Sequence, residues 1–189
     1  IHNQFGEDIK KSPDYPRVVN NTSLNRLKDY LNDGQIYYGG NIDSTELYME
    51  PTILTNVDIN SSVMTEEIFG PILPVIEFDN IQDIINFINN REKPLALYYF
   101  SENKKSINNI LRCTTSGGVT INDTVIHVAN GNLPFGGVGN SGIGSYHCKA
   151  SFDAFTHKRS VMERGTFVEF NIRFAPYKEK INILRKVMK

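Results

Sequence analysis

ILPVIEF at residues 72–78, IQDIINFI at 81–88, LALYYF at 95–100, SINNILRC at 106–113 and GGVTI at 117–121 follow one another without interruption. The first, third and fifth segments are short apolar runs. The second and fourth carry Ile81, Ile84, Ile85 and Ile88, and then Ile107, Ile110 and Leu111, at the spacing that lines one face of a helix. The order is strand, helix, strand, helix, strand. Strands apolar on both faces need helices on both sides, which selects parallel strands joined by right-handed helical crossovers. The fold class is therefore α/β, a parallel-sheet domain.

Nearer the N-terminus, Asn21, Thr22 and Ser23 offer caps for a helix with Leu24, Leu27 and Leu31 inward, and Gly34 stops it. Strand-like runs follow at 35–38 and 52–57. Beyond the central block, 133–144 is glycine-rich and 151–161 reads as extended again. No internal repeat or low-complexity tract interrupts this order.

With 189 residues, 40% of them hydrophobic and 11% aromatic, the chain can bury a sizeable core without disulfides or metal. Twenty Lys plus Arg against 21 Asp plus Glu leave a net charge of -1, which removes any general electrostatic case for nucleic acid or an anionic membrane as partner. The balance is uneven along the chain: residues 158–189 hold nine Lys or Arg and three Asp or Glu, a tail of +6 on a body of -7. Such a tail complements its own body or a partner subunit. Ile181, Leu184 and Met188 share a face with basic residues around them, a pattern that allows at most weak, reversible membrane-surface contact. Cys113 and Cys148 are too few for a disulfide scaffold and lack zinc-site spacing, so a reducing, cytoplasmic setting and no metal are expected. No run of about eighteen apolar residues is present. The opening Ile1-His2-Asn3-Gln4 has neither an initiator Met nor signal-peptide character and reads as a cut.

Five features invite chemistry. Gly137, Gly139 and Gly142 satisfy the dinucleotide pattern G-x-G-x-x-G, and Glu163 lies about twenty residues on. The context argues against a phosphate loop, because Leu133-Pro134-Phe135-Gly136 precedes it and 143–149 has no amphipathic helical stripe. A crowded loop, with backbone passing close to backbone or to a ligand, accounts for the glycines better. His147 beside Cys148 suggests a thiol and its base, yet adjacent residues point apart unless a special turn intervenes. Cys113 ends a helical stripe and reads as a small buried hydrophobe. His127 is a loop imidazole with no visible carboxylate partner. In EEIFGP at 66–71, two acids precede an aromatic and a Gly-Pro turn at the entrance to a buried strand. A carboxylate there could accept hydrogen bonds from sugar hydroxyls while the phenyl face packs on a flat ring; the alternative is a solvated acidic turn.

VMTEEIFGP at 63–71 resembles the E-E-I-F-G-P motif of aldehyde dehydrogenases, and NLPFGGVGNSGIGSYH at 132–147 resembles their P-F-G-G-x-G-x-S-G-x-G motif. GSYH at 144–147, NNREKPLALY at 89–98 and SFDAFTHKR at 151–159 are similar to the class 3, fatty-aldehyde-dehydrogenase-like branch. The likeness spans essentially the whole chain. It implies NAD or NADP as cofactor, an aldehyde as substrate, and a reaction in which a cysteine thiolate attacks the aldehyde, hydride leaves to the cofactor, and glutamate-activated water hydrolyses the thioester.

The family's oxyanion Asn, E-L-G-G general base and G-Q-x-C nucleophile have no counterpart here. The resemblance therefore implies the C-terminal portion of such an enzyme, with 1–149 as part of the catalytic domain and 150–189 as oligomerisation strand and basic tail. A chain of that extent would be inactive alone; the other open reading is a non-catalytic docking fragment. By the same resemblance, Glu67 holds the nicotinamide-side ribose hydroxyls and Phe69 packs near the nicotinamide. Val128, Ala129 and Phe135 line the aldehyde tunnel, and the strand near 156–162 builds a homodimer. Cys148 stands where the branch carries Gly, a departure that bears on the backbone geometry of its loop.

Overall fold

The computed structural model describes residues 1–169, 172, 174–178 and 180–187. They form two compact units, Ile1–Arg91 and a second beginning at Glu92.

In the first unit, α1 (His2–Phe5) and a 3-10 turn (Ile9–Lys11) precede α2 (Asn21–Tyr30). The cap of α2 is Asn20, one residue before the expected candidates, whose side chain accepts from the Ser23 amide at 2.8 Å. A three-stranded sheet has the order β1 (Gln35–Tyr38), β4 (Thr52–Thr55), β5 (Ile72–Pro74). β1 runs antiparallel to β4 with an irregularity between Ile36 and Tyr38, and β4 runs parallel to β5 with Thr52 opposite Ile72 and Leu54 opposite Pro74. Proline donates no ladder hydrogen bond, so Pro74 suits a strand at the end of the sheet order. A hairpin of β2 (Ile42–Asp43) and β3 (Tyr48–Met49), the short α3 (Ser62–Thr65) and α4 (Ile81–Asn89) complete the unit.

Its core joins Leu24, Leu27 and Tyr30 of α2 to Met49, Leu54, Val63 and Ile72. The helical spacing read from the sequence thus points into the sheet. Leu27 and Leu54 are fully buried, each stabilising by about 1.5–3 kcal/mol over an exposed side chain.

In the second unit, β6 (Ala96–Tyr99), α5 (Lys104–Cys113) and β7 (Gly118–Ile121) form a crossover in which the strands pair in parallel, Ala96 opposite Gly118 and Tyr99 opposite Ile121. Asn103 caps α5, accepting from the Lys105 and Ser106 amides. α6 (Ile126–Ala129), a 3-10 turn (Gly139–Ser141), α7 (Cys148–Phe155) and α8 (Ile181–Val187) follow.

The α/β class with parallel strands stands. Three local expectations do not. The strand at 72–78 is confined to 72–74 and pairs with β4, leaving Leu73 60% exposed instead of covered on both faces. Cys113 is exposed: it is the last residue of α5, where the helix ends, and its thiol donates to the Asn109 side-chain oxygen at 3.4 Å. Residues 151–155 are helical, not extended, and 157–165 carry no regular structure. Ala150 and Ala154 favour helix, Lys149 and Asp153 pair one turn apart at 2.8 Å, and an extended run without a hydrogen-bonded neighbour has nothing to hold it as strand.

On α8, Ile181 is exposed, whereas Met188 and the side chain of Leu184 lie outside the described residues. Among the described residues no helix is long and apolar enough to cross a membrane, and no group of three or more His, Cys, Asp or Glu could hold a metal ion.

Candidate functional site

In the first unit, the chain leaves α3, bends through 66–71 and enters β5. Every second residue of the bend is tied down. Glu66 accepts a 2.7 Å hydrogen bond from the Tyr30 hydroxyl, Ile68 packs against the hydrophobic core, and a Cβ at Gly70 would stand 2.3 Å from the Leu27 side chain. The backbone is held as well: Arg26 donates from Nη1 to the Glu67 carbonyl at 2.7 Å and from Nη2 to the Ile68 carbonyl at 2.8 Å. Its guanidinium also donates to the Tyr30 hydroxyl at 2.7 Å and lies 5.3 Å from that ring. Burial lifts the Tyr30 phenol above its ordinary range, and the Glu66 carboxylate lifts it further against the opposing pull of Arg26.

The alternate residues face outward. Glu67 is exposed, with no side-chain hydrogen bond or ion pair among the described residues. Phe69 is 79% exposed and has φ 43, a left-handed conformation that costs a bulky residue about 1–2 kcal/mol. A cavity of about 670 Å³ opens beside Phe69, Gly70 and Pro71 and reaches Tyr15, Arg26 and Met49. The bend thus presents an unpaired carboxylate two residues from an unpacked phenyl ring. An accepting carboxylate beside a flat apolar face fits a ligand with vicinal hydroxyls joined to a flat ring.

In the second unit, Val128 is half-buried and Ala129 exposed on α6. Between β7 and these residues lies His127, 8% exposed, with Nδ1 3.0 Å from the Thr120 hydroxyl and Nε2 without a partner among the described residues. Its ring rests on Gly118, where a Cβ would come within 2.6 Å of the imidazole, and stands 5.9 Å from Tyr98 and 5.7 Å from Phe135. Phe135 exchanges two backbone hydrogen bonds with Tyr146 and stacks on His147 at 6.3 Å. His127 therefore brings Phe135 to the helix that carries Val128 and Ala129. The aromatic surround of Tyr98, His127 and Tyr146 was not legible from spacing, since it draws on three separated segments. Arg26 and Tyr30 were legible in principle, being four apart on one helical face.

The G-x-G-x-x-G segment is a crowded loop. A Cβ at Gly136 would stand 2.2 Å from the Gly144 carbonyl oxygen, and one at Gly137 would stand 2.1 Å from that of Ser141. The motif's last residues enter a 3-10 turn, not the helix N-terminus that a phosphate loop needs. At His147 and Cys148 a special turn does occur, with φ of 85 and 37, so Cys148 holds the region that favours the Gly of the branch. The imidazole Nδ1 lies 3.3 Å from the Leu133 carbonyl oxygen and does not engage the thiol.

The model of the aldehyde dehydrogenase family matches residues 3–161. The chain is 50% identical over 177 residues to the Rattus norvegicus aldehyde dehydrogenase family 3 member A2, covering 93% of this chain and 37% of that protein. It is 50% identical over 169 residues to the Bos taurus dimeric NADP-preferring aldehyde dehydrogenase, covering 89% of this chain and 71% of that protein. The solved substrate-bound state of Staphylococcus aureus AldH superposes with a TM-score of 0.86 at 44% identity, covering 100% of this chain and 42% of its own. The chain spans well under half the length of the rat relative and of the solved structure. A match of this extent, in sequence and in backbone, places the chain in the aldehyde dehydrogenase family.

Proposed function

We propose that these residues are the post-nucleophile part of an NAD(P)-dependent aldehyde dehydrogenase that oxidises aldehydes to carboxylic acids, with 1–149 serving catalysis and 150–189 serving association. The observation that carries this reading is the bend at 66–71, which ties down Glu66 and Ile68 and turns out Glu67 and Phe69. The dinucleotide, when bound, supplies the hydride acceptor. Glu67 accepts hydrogen bonds from the ribose hydroxyls on the nicotinamide side, and Phe69 packs its ring against the nicotinamide. Val128, Ala129 and Phe135 give the aldehyde an apolar wall, which suits a long aliphatic tail. The 189 residues contain no G-Q-x-C or E-L-G-G pattern, so the chain by itself reduces no cofactor.

The test is Glu67→Gln in the complete enzyme, followed by single-turnover reduction of saturating cofactor, with the isolated chain as the inactive blank. A charge-assisted hydrogen bond is worth about 1.5–3 kcal/mol, so hydride transfer slows roughly tenfold to a hundredfold. An unchanged rate, or turnover by the isolated chain that Cys113→Ala or Cys148→Ala abolishes, overturns the proposal.

A further inference from the structure

We infer that Arg26 and Tyr30 of α2 are positioning residues for hydride transfer, acting through the backbone of the bend that carries Glu67 and Phe69. The inference rests on the cofactor-side role proposed for those two residues and goes beyond it, to what sets their geometry.

Nothing fastens the Glu67 carboxylate or the Phe69 ring from outside the bend, since Glu67 is unpaired among the described residues and Phe69 is 79% exposed. Their directions are therefore fixed through the main chain. The two carbonyls between them, those of Glu67 and Ile68, both accept from one guanidinium at 2.7 and 2.8 Å. A planar fork with fixed donor directions dictates the orientation of both peptide planes at once, which a point-charge ammonium cannot do. The next residue, Phe69, is held at φ 43. A conformation that unfavourable persists only where its surroundings over-determine it, and Arg26 on one side with Gly70 pressed on Leu27 on the other supply that determination. Tyr30 closes the network, accepting from Arg26 and donating to Glu66 at 2.7 Å each, so the residue before Glu67 is fixed from the same helix. α2 is itself anchored by Leu24 and Leu27 in the core, which makes it a rigid reference for the bend.

The experiment uses the complete enzyme with Arg26→Met, Arg26→Lys, Tyr30→Phe and Glu67→Gln, singly, and the double variant of Arg26→Met with Glu67→Gln. Single-turnover hydride transfer is measured at saturating cofactor and aldehyde, with thermal unfolding alongside. Arg26→Met slows hydride transfer about tenfold, inside the hundredfold that a misplacement of about 1 Å can cost. Arg26→Lys recovers only part of that, and Tyr30→Phe slows transfer about twofold to threefold while its ring keeps the core filled. In the Glu67→Gln background, Arg26→Met adds clearly less than its roughly tenfold effect in the parent enzyme, because the carboxylate is gone and only Phe69 is left to misplace.

A merely structural role would lower the unfolding temperature and leave the rate of the folded fraction unchanged, and that result overturns the inference. So does full additivity in the double variant. If Arg26→Met fails to fold, Tyr30→Phe decides, and an unchanged rate there overturns the inference. A slow Glu67→Gln with a normal Arg26→Met removes the positioning role alone, whereas a normal Glu67→Gln removes the cofactor-side role and the inference with it.

Discussion

Phe69 at φ 43 and Cys148 at φ 37 are two side chains held where glycine is at ease, and each sits at a turn that aims its neighbours. Glycine's own use differs between two positions of one loop. Gly139 has φ 66 with open space around its missing Cβ, so only its conformation matters; a Cβ at Gly137 would stand 2.1 Å from the Ser141 carbonyl oxygen, and backbone cannot step aside. Gly139→Ala should cost about 1–2 kcal/mol of stability, the ordinary penalty for a left-handed residue. Gly137→Ala should cost more, or displace the loop from Phe135 and Tyr146. Urea midpoints for the two variants, read by circular dichroism, check the order; an equal loss at both positions would show that crowding is not what Gly137 serves.

The β2–β3 hairpin is too short to stand alone; Tyr48 and Met49 bury its second strand, and ion pairs fasten its outer side. Lys10, on the 3-10 turn Ile9–Lys11, reaches Asp43 at 2.6 Å and Glu46 at 3.2 Å, and Arg17 approaches Glu46 at 3.7 Å. The Lys10 hydrogen bond, helped by the hydroxyl and amide of Thr45, holds the Asp43 carboxyl well below the usual carboxylate range. A depressed folded pKa contributes stability above the unfolded value, here 3.8, and that contribution is lost as pH falls towards the folded value. Asp43→Asn should therefore be less stable than the parent chain near pH 6, by a modest amount because the pair meets solvent, and the gap should close as pH drops below 4. Denaturation at a series of pH values checks this. A gap that stays constant into acid would assign the loss to packing of the hairpin.

From the last residue of α7 onward the chain carries exposed apolar side chains: Phe155 is 91% exposed, Val161 76% and Met162 90%. The Leu73 side chain of β5 is also open, on a strand whose paired neighbour lies on one side. Such surface favours association with a second copy, in keeping with the homodimer proposed for 150–189. The isolated chain should run as a dimer or larger species in light scattering coupled to gel filtration. Val161→Pro should weaken the specific part by removing an N–H that a partner strand would use, with the β6–α5–β7 crossover intact by circular dichroism. A clean monomer at high micromolar concentration would count against the association role. Association without turnover is also what a docking fragment would display, so the two readings part on whether Glu67→Gln alters the complete enzyme.

The sequence by itself determined which segments become helix or strand wherever apolar period and cap agreed. Leu24 and Leu27 on α2, Ile85 on α4, Ile110 on α5 and the run at 96–99 lie where their spacing put them. It also determined the family, because EEIFGP and PFGGVGNSG are long local strings whose order survives without any knowledge of contacts. Tertiary structure alone decided the rest. Pairing of β5 with β4 depends on a partner twenty residues away, and the helix at 148–155 prevails over an extended run because main-chain groups there found bonds within the helix and none across a sheet. The outward turn of Glu67 and Phe69 was equally hidden, since it is imposed by Arg26 and Tyr30 about forty residues earlier. Hydrophobic period is a property of neighbours in sequence; register, strain and hydrogen bonds to carbonyls are properties of neighbours in space.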